Sequence, residues 1–176
     1  MARTSVRALE RMRDGHPLRI RPRAFIETGT LHAETARFAR QLYEVVETIE
    51  LSEPLYRAAI KRYGGNGIRF HLGDSAKILP VVLATYREPV CLYLDAHWFP
   101  RAQVAPEAFP LWAELEAVQA RPFADIVIVD DVHSFGTANP APDWQQVTPT
   151  NLLASVDRVL KTLIHDDHFV IYRGPA

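Results

Sequence analysis

Five short apolar runs punctuate the chain, each ending in an acidic or glycine-containing turn. They are FIETGT at 25–30, VVETIELS at 45–52, IRFHLGDS at 68–75, CLYLDAHW at 91–98 and DIVIVDDVH at 125–133. Apolar runs of this length, separated by stretches with helical spacing, predict strands of a parallel sheet covered on both faces. Between the first two, Ala33, Ala36, Ala39, Leu42 and Tyr43 recur at helical intervals, so a crossover helix is expected over 31–43. Ser52 and Pro54 suit the cap and first turn of a second helix, which Gly64, Gly65 and Gly67 stop. Asp74 or Ser75 opens a third, running toward Tyr86 with a break or kink near Pro80, and 111–120 forms a fourth. A short helix over 150–156 then leads into two strands, 159–164 and 168–172, joined by a turn at Asp166 and Asp167. Two segments remain: 99–110, long enough for a lid, and 134–149, whose Pro, Thr and Asn content reads as a mobile loop.

The pattern predicts an α/β, doubly wound, mostly parallel seven-stranded sheet with a C-terminal antiparallel hairpin. A chain of 176 residues, 48% hydrophobic and 23% charged, fits one domain over 24–176 behind a basic entry segment at 1–23. That entry segment holds Arg3, Arg7, Arg11, Arg13, Arg19, Arg21 and Arg23, which read as a solvated helix face and entry loop in preference to a phosphate-binding patch. A net charge of −1 provides no general attraction to nucleic acid or to an anionic membrane. No stretch reaches the roughly 18 apolar residues of a membrane span, and the N-terminal segment lacks a secretory core, so a soluble cytoplasmic protein is expected. Cys91, the single cysteine, lies inside an apolar run and reads as a core residue.

Five βα units and a terminal hairpin, combined with ETGT, TIEL, GDS and LDAHW in that order, resemble the Rossmann-like class I S-adenosylmethionine-dependent methyltransferases. Within them, the chain looks most like small bacterial proteins with an ETGT-type first loop and a D-A-H-W fourth loop, distantly similar to macrocin-type O-methyltransferases. The likeness spans roughly residues 24–173. It implies a methyl transfer from S-adenosylmethionine to an oxygen of a small molecule, such as a sugar or natural-product intermediate.

Parallel strands deliver their exit loops to one edge, so the polar residues ending the runs are expected to share a ligand crevice. Gly29 permits close backbone approach, and the amides of Thr30 and Leu31 can meet the carboxylate of a cofactor. Only one glycine of the usual G-x-G-x-G stands here, with Thr30, Leu31, His32 and Ala33 following. Glu50, beside Leu51, lies ~20 residues beyond Gly29 and can accept both hydroxyls of an unphosphorylated ribose. Its alternative role is that of a solvated strand-end acid. Glu27 either orients the loop or meets the cofactor amine through water, or accepts hydrogen bonds from loop amides. Asp74 and Ser75 can cap the following helix, and the resemblance adds adenine contact.

Asp95 and His97 follow the fourth run, and Asp130, Asp131 and His133 the fifth. Their carboxylate majority favours Mg²⁺ or Mn²⁺ over a sulfur-loving metal. The macrocin-type resemblance implies Asp95, Asp130 and Asp131 as the metal set, with the metal lowering the pKa of the acceptor hydroxyl. His97 or His133 can instead act as general base. The alternative is that these aspartates bind loop amides and that His97 packs beside Trp98. His165 and His168, flanking the hairpin turn, read as surface residues. With little structure added to the core, the acceptor pocket must come from the N-terminal segment, the two long loops or a second subunit, making a homo-oligomer a candidate arrangement. A second function class is a non-catalytic nucleotide- or cofactor-binding module that kept the fold, as the depleted glycine loop suggests. A nicotinamide dehydrogenase is weaker, because G-x-G-x-x-G is absent.

Overall fold

A computed structural model of the chain describes residues 4–96, 109–138 and 142–176. Its strands are β1 (Ala24–Thr28), β2 (Val45–Glu50), β3 (Ile68–Leu72), β4 (Val90–Leu94), β5 (Ile126–Val129), β6 (Val159–His165) and β7 (His168–Arg173). They form one sheet in the order β3-β2-β1-β4-β5-β7-β6. The first five are parallel, and β7 pairs antiparallel with both β5 and β6. The chain starts at β1, winds outward to β3, and returns to β4 on the other side of β1. That reversal marks a switch point at the exit ends of β1 and β4, the edge where sheets of this kind bind ligands.

The apolar runs of β1, β2, β4 and β5 became strands because both of their faces are covered, whereas β3, at the sheet edge, has only Ile68 buried. Phe25, Cys91, Tyr93, Ile126 and Ile128 point to one layer, where they meet Ala8, Leu9 and Met12 of α1 (Val6–Asp14) and Ala36 and Ala39 of α2 (Glu34–Ala39). Ile26, Leu92, Leu94, Val127 and Val129 point to the other, against α4 (Ser75–Leu83), α5 (Leu111–Gln119) and α6 (Pro149–Ala154). Full burial of a side chain such as Leu9 contributes about 1.5–3 kcal/mol, so α1 belongs to the core through one face, with Arg7 and Arg11 outside and Arg13 largely covered, donating to the Leu42 carbonyl at 3.0 Å. Buried Cys91 has its thiol pKa pushed up to about 12 by burial, consistent with a core residue and not a nucleophile.

Three expectations change. The first crossover helix is only six residues long, because Leu31 and Ala33 adopt left-handed φ values of 46° and 55° and delay its start. Pro80 does not break α4, which continues to Leu83, short of Tyr86. The 134–149 segment is anchored in its described part. Trp144 is fully buried, stacks on Phe135 at 5.9 Å between ring centroids, and meets Phe109 edge-on at 5.4 Å. Gly136 donates its amide to the carbonyls of Trp144 and Val147, closing the segment on itself. Most of the expected lid, together with His97 and Trp98, lies outside the described residues. No helix among the described residues is long and apolar enough to cross a membrane.

Candidate functional site

Gly29 leaves β1 with φ 84°, and a Cβ there would lie 2.3 Å from the carbonyl oxygen of Asp95. A side chain is excluded because the exit loops of β1 and β4 press together at this point. The amides of Gly29 and Thr30 both donate to the carbonyl of Ile49, at 2.9 and 3.2 Å, folding the first loop over β2. Leu31 and Ala33 continue the turn in the left-handed region. Positions 29, 31 and 33 thus all lie at positive φ, although two of them carry side chains at a cost of about 1–2 kcal/mol each.

Glu50 holds that strained turn. One carboxylate oxygen accepts the Leu31 amide at 2.8 Å and the other the Ser52 amide at 2.9 Å, in a side chain that is almost fully buried. Each oxygen has a second lone pair to offer. Glu27 lies inside the same edge and is also buried. Thr48 donates to Glu27 Oε2 at 2.6 Å, and the hydroxyl of Thr30 lies 2.6 Å from that of Thr48. Glu27 therefore supports the loop through two threonines. Burial, reinforced by the charges of Asp95, Glu50 and Asp130, pushes its pKa well above the usual glutamate value despite the bond from Thr48. Asp74 caps α4 by accepting the Ala76 amide at 3.0 Å, and the Gly73 amide donates to the Glu50 carbonyl at 2.8 Å. Ser75, buried, opens the helix.

On the β4 side of the switch point, the Asp95 amide donates to the Thr28 carbonyl at 3.1 Å and lies 3.2 Å from its hydroxyl. Asp130 accepts the Tyr93 hydroxyl at 2.6 Å on one oxygen and the Asp131 amide at 2.8 Å on the other. His168 Nε2 lies 2.9 Å from the Tyr93 hydroxyl and 3.4 Å from Asp130, and Thr4 reaches both Tyr93 (2.7 Å) and His168 (3.0 Å). Burial raises the Asp130 pKa, opposed by His168 and by the bond from Tyr93. His168, expected at the surface, is instead buried. It starts β7, an interior strand between β5 and β6, and so it is covered on both sides. Thr4, Thr48 and Tyr93 were not singled out from sequence, and His168 was read only as a surface residue. The signal available for two of them was a hydroxyl inside an otherwise apolar run, VVETIE for Thr48 and CLYLD for Tyr93.

Asp95, Asp130 and Asp131 do not gather as a metal set. Among the described residues, the ligand atoms that lie together belong to Asp131, His133 and Asp167. Asp130 is engaged by Tyr93, His168 and the Asp131 amide, while Asp131 adopts φ 58°.

No protein-family model and no curated protein sequence matches the chain. Solved structures do. The SAH-bound methyltransferase PaMTH1 of Podospora anserina superposes with a TM-score of 0.61 at 15% identity, over 96% of this chain and 76% of that one. A proposed methyltransferase of Streptococcus mutans in complex with SAH gives 0.64 at 8% identity over 98% of both chains. An rRNA methylase of Streptococcus thermophilus gives 0.58 at 10% identity over 100% and 99%. The chain has the class I methyltransferase fold.

Within the methyltransferase fold, the residues present suit a cofactor that is cationic and carries a free ribose. Glu50, Asp95 and Asp130 are close enough to Glu27 to raise its pKa, so these three give the edge a negative field while Glu27 favours its protonated form. Glu50 retains acceptor capacity at the end of β2, and the first loop turns through positive φ at Leu31 and Ala33 without glycine at either position.

Proposed function

We propose that the chain is an S-adenosylmethionine-dependent methyltransferase that acts on an oxygen of a small molecule, such as a sugar or natural-product intermediate. The observation that supports this most strongly is the set of carboxyl groups Glu50, Asp95 and Asp130 around the buried Glu27, near the point where the strand order reverses. Such an edge repels the phosphates of a dinucleotide and favours a cationic ligand with unphosphorylated ribose hydroxyls. S-adenosylmethionine supplies a sulfonium-bound methyl group that an oxygen nucleophile can accept. Glu50, with Leu51 beside it, would receive the ribose hydroxyls on its remaining lone pairs while keeping the Leu31 and Ser52 amides in place. The backbone of Gly29, Thr30 and Leu31 would border the amino-acid end of the cofactor, and Asp74 and Ser75 its adenine.

Asp95 is the proton acceptor we assign to the reacting hydroxyl, placed by its amide bond to Thr28. The remaining contribution is alignment of the acceptor oxygen, which is the main requirement of this displacement. No step is assigned to a metal, because Asp95, Asp130 and Asp131 do not gather. The net charge of −1 favours a small acceptor over an RNA.

Calorimetric titration with S-adenosylhomocysteine tests the reading without knowledge of the acceptor. Saturable one-site binding is expected. Glu50→Ala should weaken it by about 1.5–3 kcal/mol, the value of hydrogen bonds to a charged group, or roughly ten- to a hundredfold in Kd. Absence of binding by the folded wild type would put the non-catalytic or different-ligand reading first.

A further inference from the structure

A second polar cluster lies beyond the end of β5, in residues to which the methyl-transfer reading gives no role. Asp131, His133 and Asp167 come from two turns, the exit of β5 and the β6–β7 hairpin, and each offers a ligand atom within 4.8 Å of the others. His133 Nδ1 lies 2.6 Å from Asp167 Oδ2 and 3.8 Å from Asp131 Oδ1. These separations bracket the ~3–3.4 Å between donors that each lie ~2.0–2.2 Å from a common ion, so small side-chain rotations suffice to complete the site. The other oxygen of Asp167 accepts the His133 amide at 2.9 Å, and the Asp167 carbonyl accepts the Val132 amide at 3.0 Å, so the two turns are tied to each other. His133 is exposed and both aspartates are half-buried, leaving the donors within reach of solvent.

We propose that Asp131, His133 and Asp167 form a site for a first-row transition dication of the Zn²⁺ or Mn²⁺ kind. One imidazole nitrogen with two carboxylate oxygens suits these ions better than Mg²⁺ or Ca²⁺, which take oxygen donors, and the absence of a thiolate from the set disfavours softer metals. Asp130 is excluded from the set because Tyr93, His168 and the Asp131 amide already engage its two oxygens. Three protein donors leave at least one position for water or for a ligand oxygen. The site stands on these residues alone and does not depend on the identity of the cofactor.

Metal-free full-length protein would be titrated by calorimetry with Zn²⁺, Mn²⁺ and Mg²⁺ in separate runs. The expected result is one saturable site for Zn²⁺ and Mn²⁺, with Mg²⁺ bound at least tenfold more weakly. His133→Gln and Asp167→Asn should each weaken Zn²⁺ by roughly tenfold or more, as loss of even an outer-shell partner does. His165→Gln, on the same hairpin but outside the cluster, should leave it unchanged. His133 is exposed, so its variant is expected to fold. No saturable Zn²⁺ binding by the folded wild type, unchanged affinity in His133→Gln, or equal affinity for Mg²⁺ would each overturn the assignment. An S-adenosylhomocysteine titration of the same samples keeps the two readings separable, since either ligand can fail while the other binds.

Discussion

Glu27 occupies a position where a charge is costly, buried beside three other carboxyl groups with a threonine hydroxyl as its donor. Its raised pKa means that the folded protein holds the proton more tightly than the unfolded chain does. The resulting stabilisation is complete below the ordinary glutamate value of 4.5 and is lost as pH rises through the higher folded value. Glu27→Gln keeps an acceptor for Thr48 and cannot ionise. Urea unfolding from about pH 5 to pH 8 should therefore show the variant gaining stability over the wild type as pH rises. Parallel curves would mean that Glu27 ionises as an ordinary surface acid. The neighbouring Glu50 acts on the backbone instead, its two amide bonds fixing Leu31 and Ser52, one in each exit loop. A position such as Glu50 can be read from sequence because it ends an apolar run at a set distance from Gly29. The conformations of Leu31 and Ala33 could not be read in that way, since neither residue type announces a positive φ.

The exit loops of β1 and β4 form one packed unit, and Gly29 is their contact. Gly29→Ala would add a left-handed penalty of ~1–2 kcal/mol and an overpacking cost of ~1–3 kcal/mol against the Asp95 carbonyl. A loss of about 2–5 kcal/mol in denaturant unfolding is expected, and a loss below about 0.5 kcal/mol would show that the loops separate easily. The inner parallel strands β1, β4 and β5 were legible because burial on both faces selects a mostly apolar run. The short α2, the anchored segment around Trp144 and the buried His168 were not. The first depends on backbone strain. The second depends on one aromatic finding a pocket between Phe109 and Phe135. The third depends on strand order, because a hairpin read by itself gives no indication of which of its strands lies inside the sheet.

The sheet is fastened at both ends, by carboxylates with different partners. At the edge opposite the switch point, Asp125 is fully buried and accepts Arg121 at 2.8 Å, Arg173 at 3.3 Å and the Val90 amide at 2.9 Å, tying β4, β5 and β7. Asp125→Ala would leave two buried guanidinium groups short of their shared partner and should cost about 3–5 kcal/mol in urea unfolding. A cost under about 1 kcal/mol would mean that the arginines find replacement partners. The order β5-β7-β6 also governs when the molecule can be finished. During synthesis β5 emerges well before β7, the last strand in chain order, so the IVIV edge must wait unpaired while more than a helix and a strand are made. An apolar edge of this kind is a template for pairing with another chain. A chain truncated before His168 would therefore keep a sheet with its inner strand missing, no His168 beneath Asp130, and an adhesive margin that β7 closes.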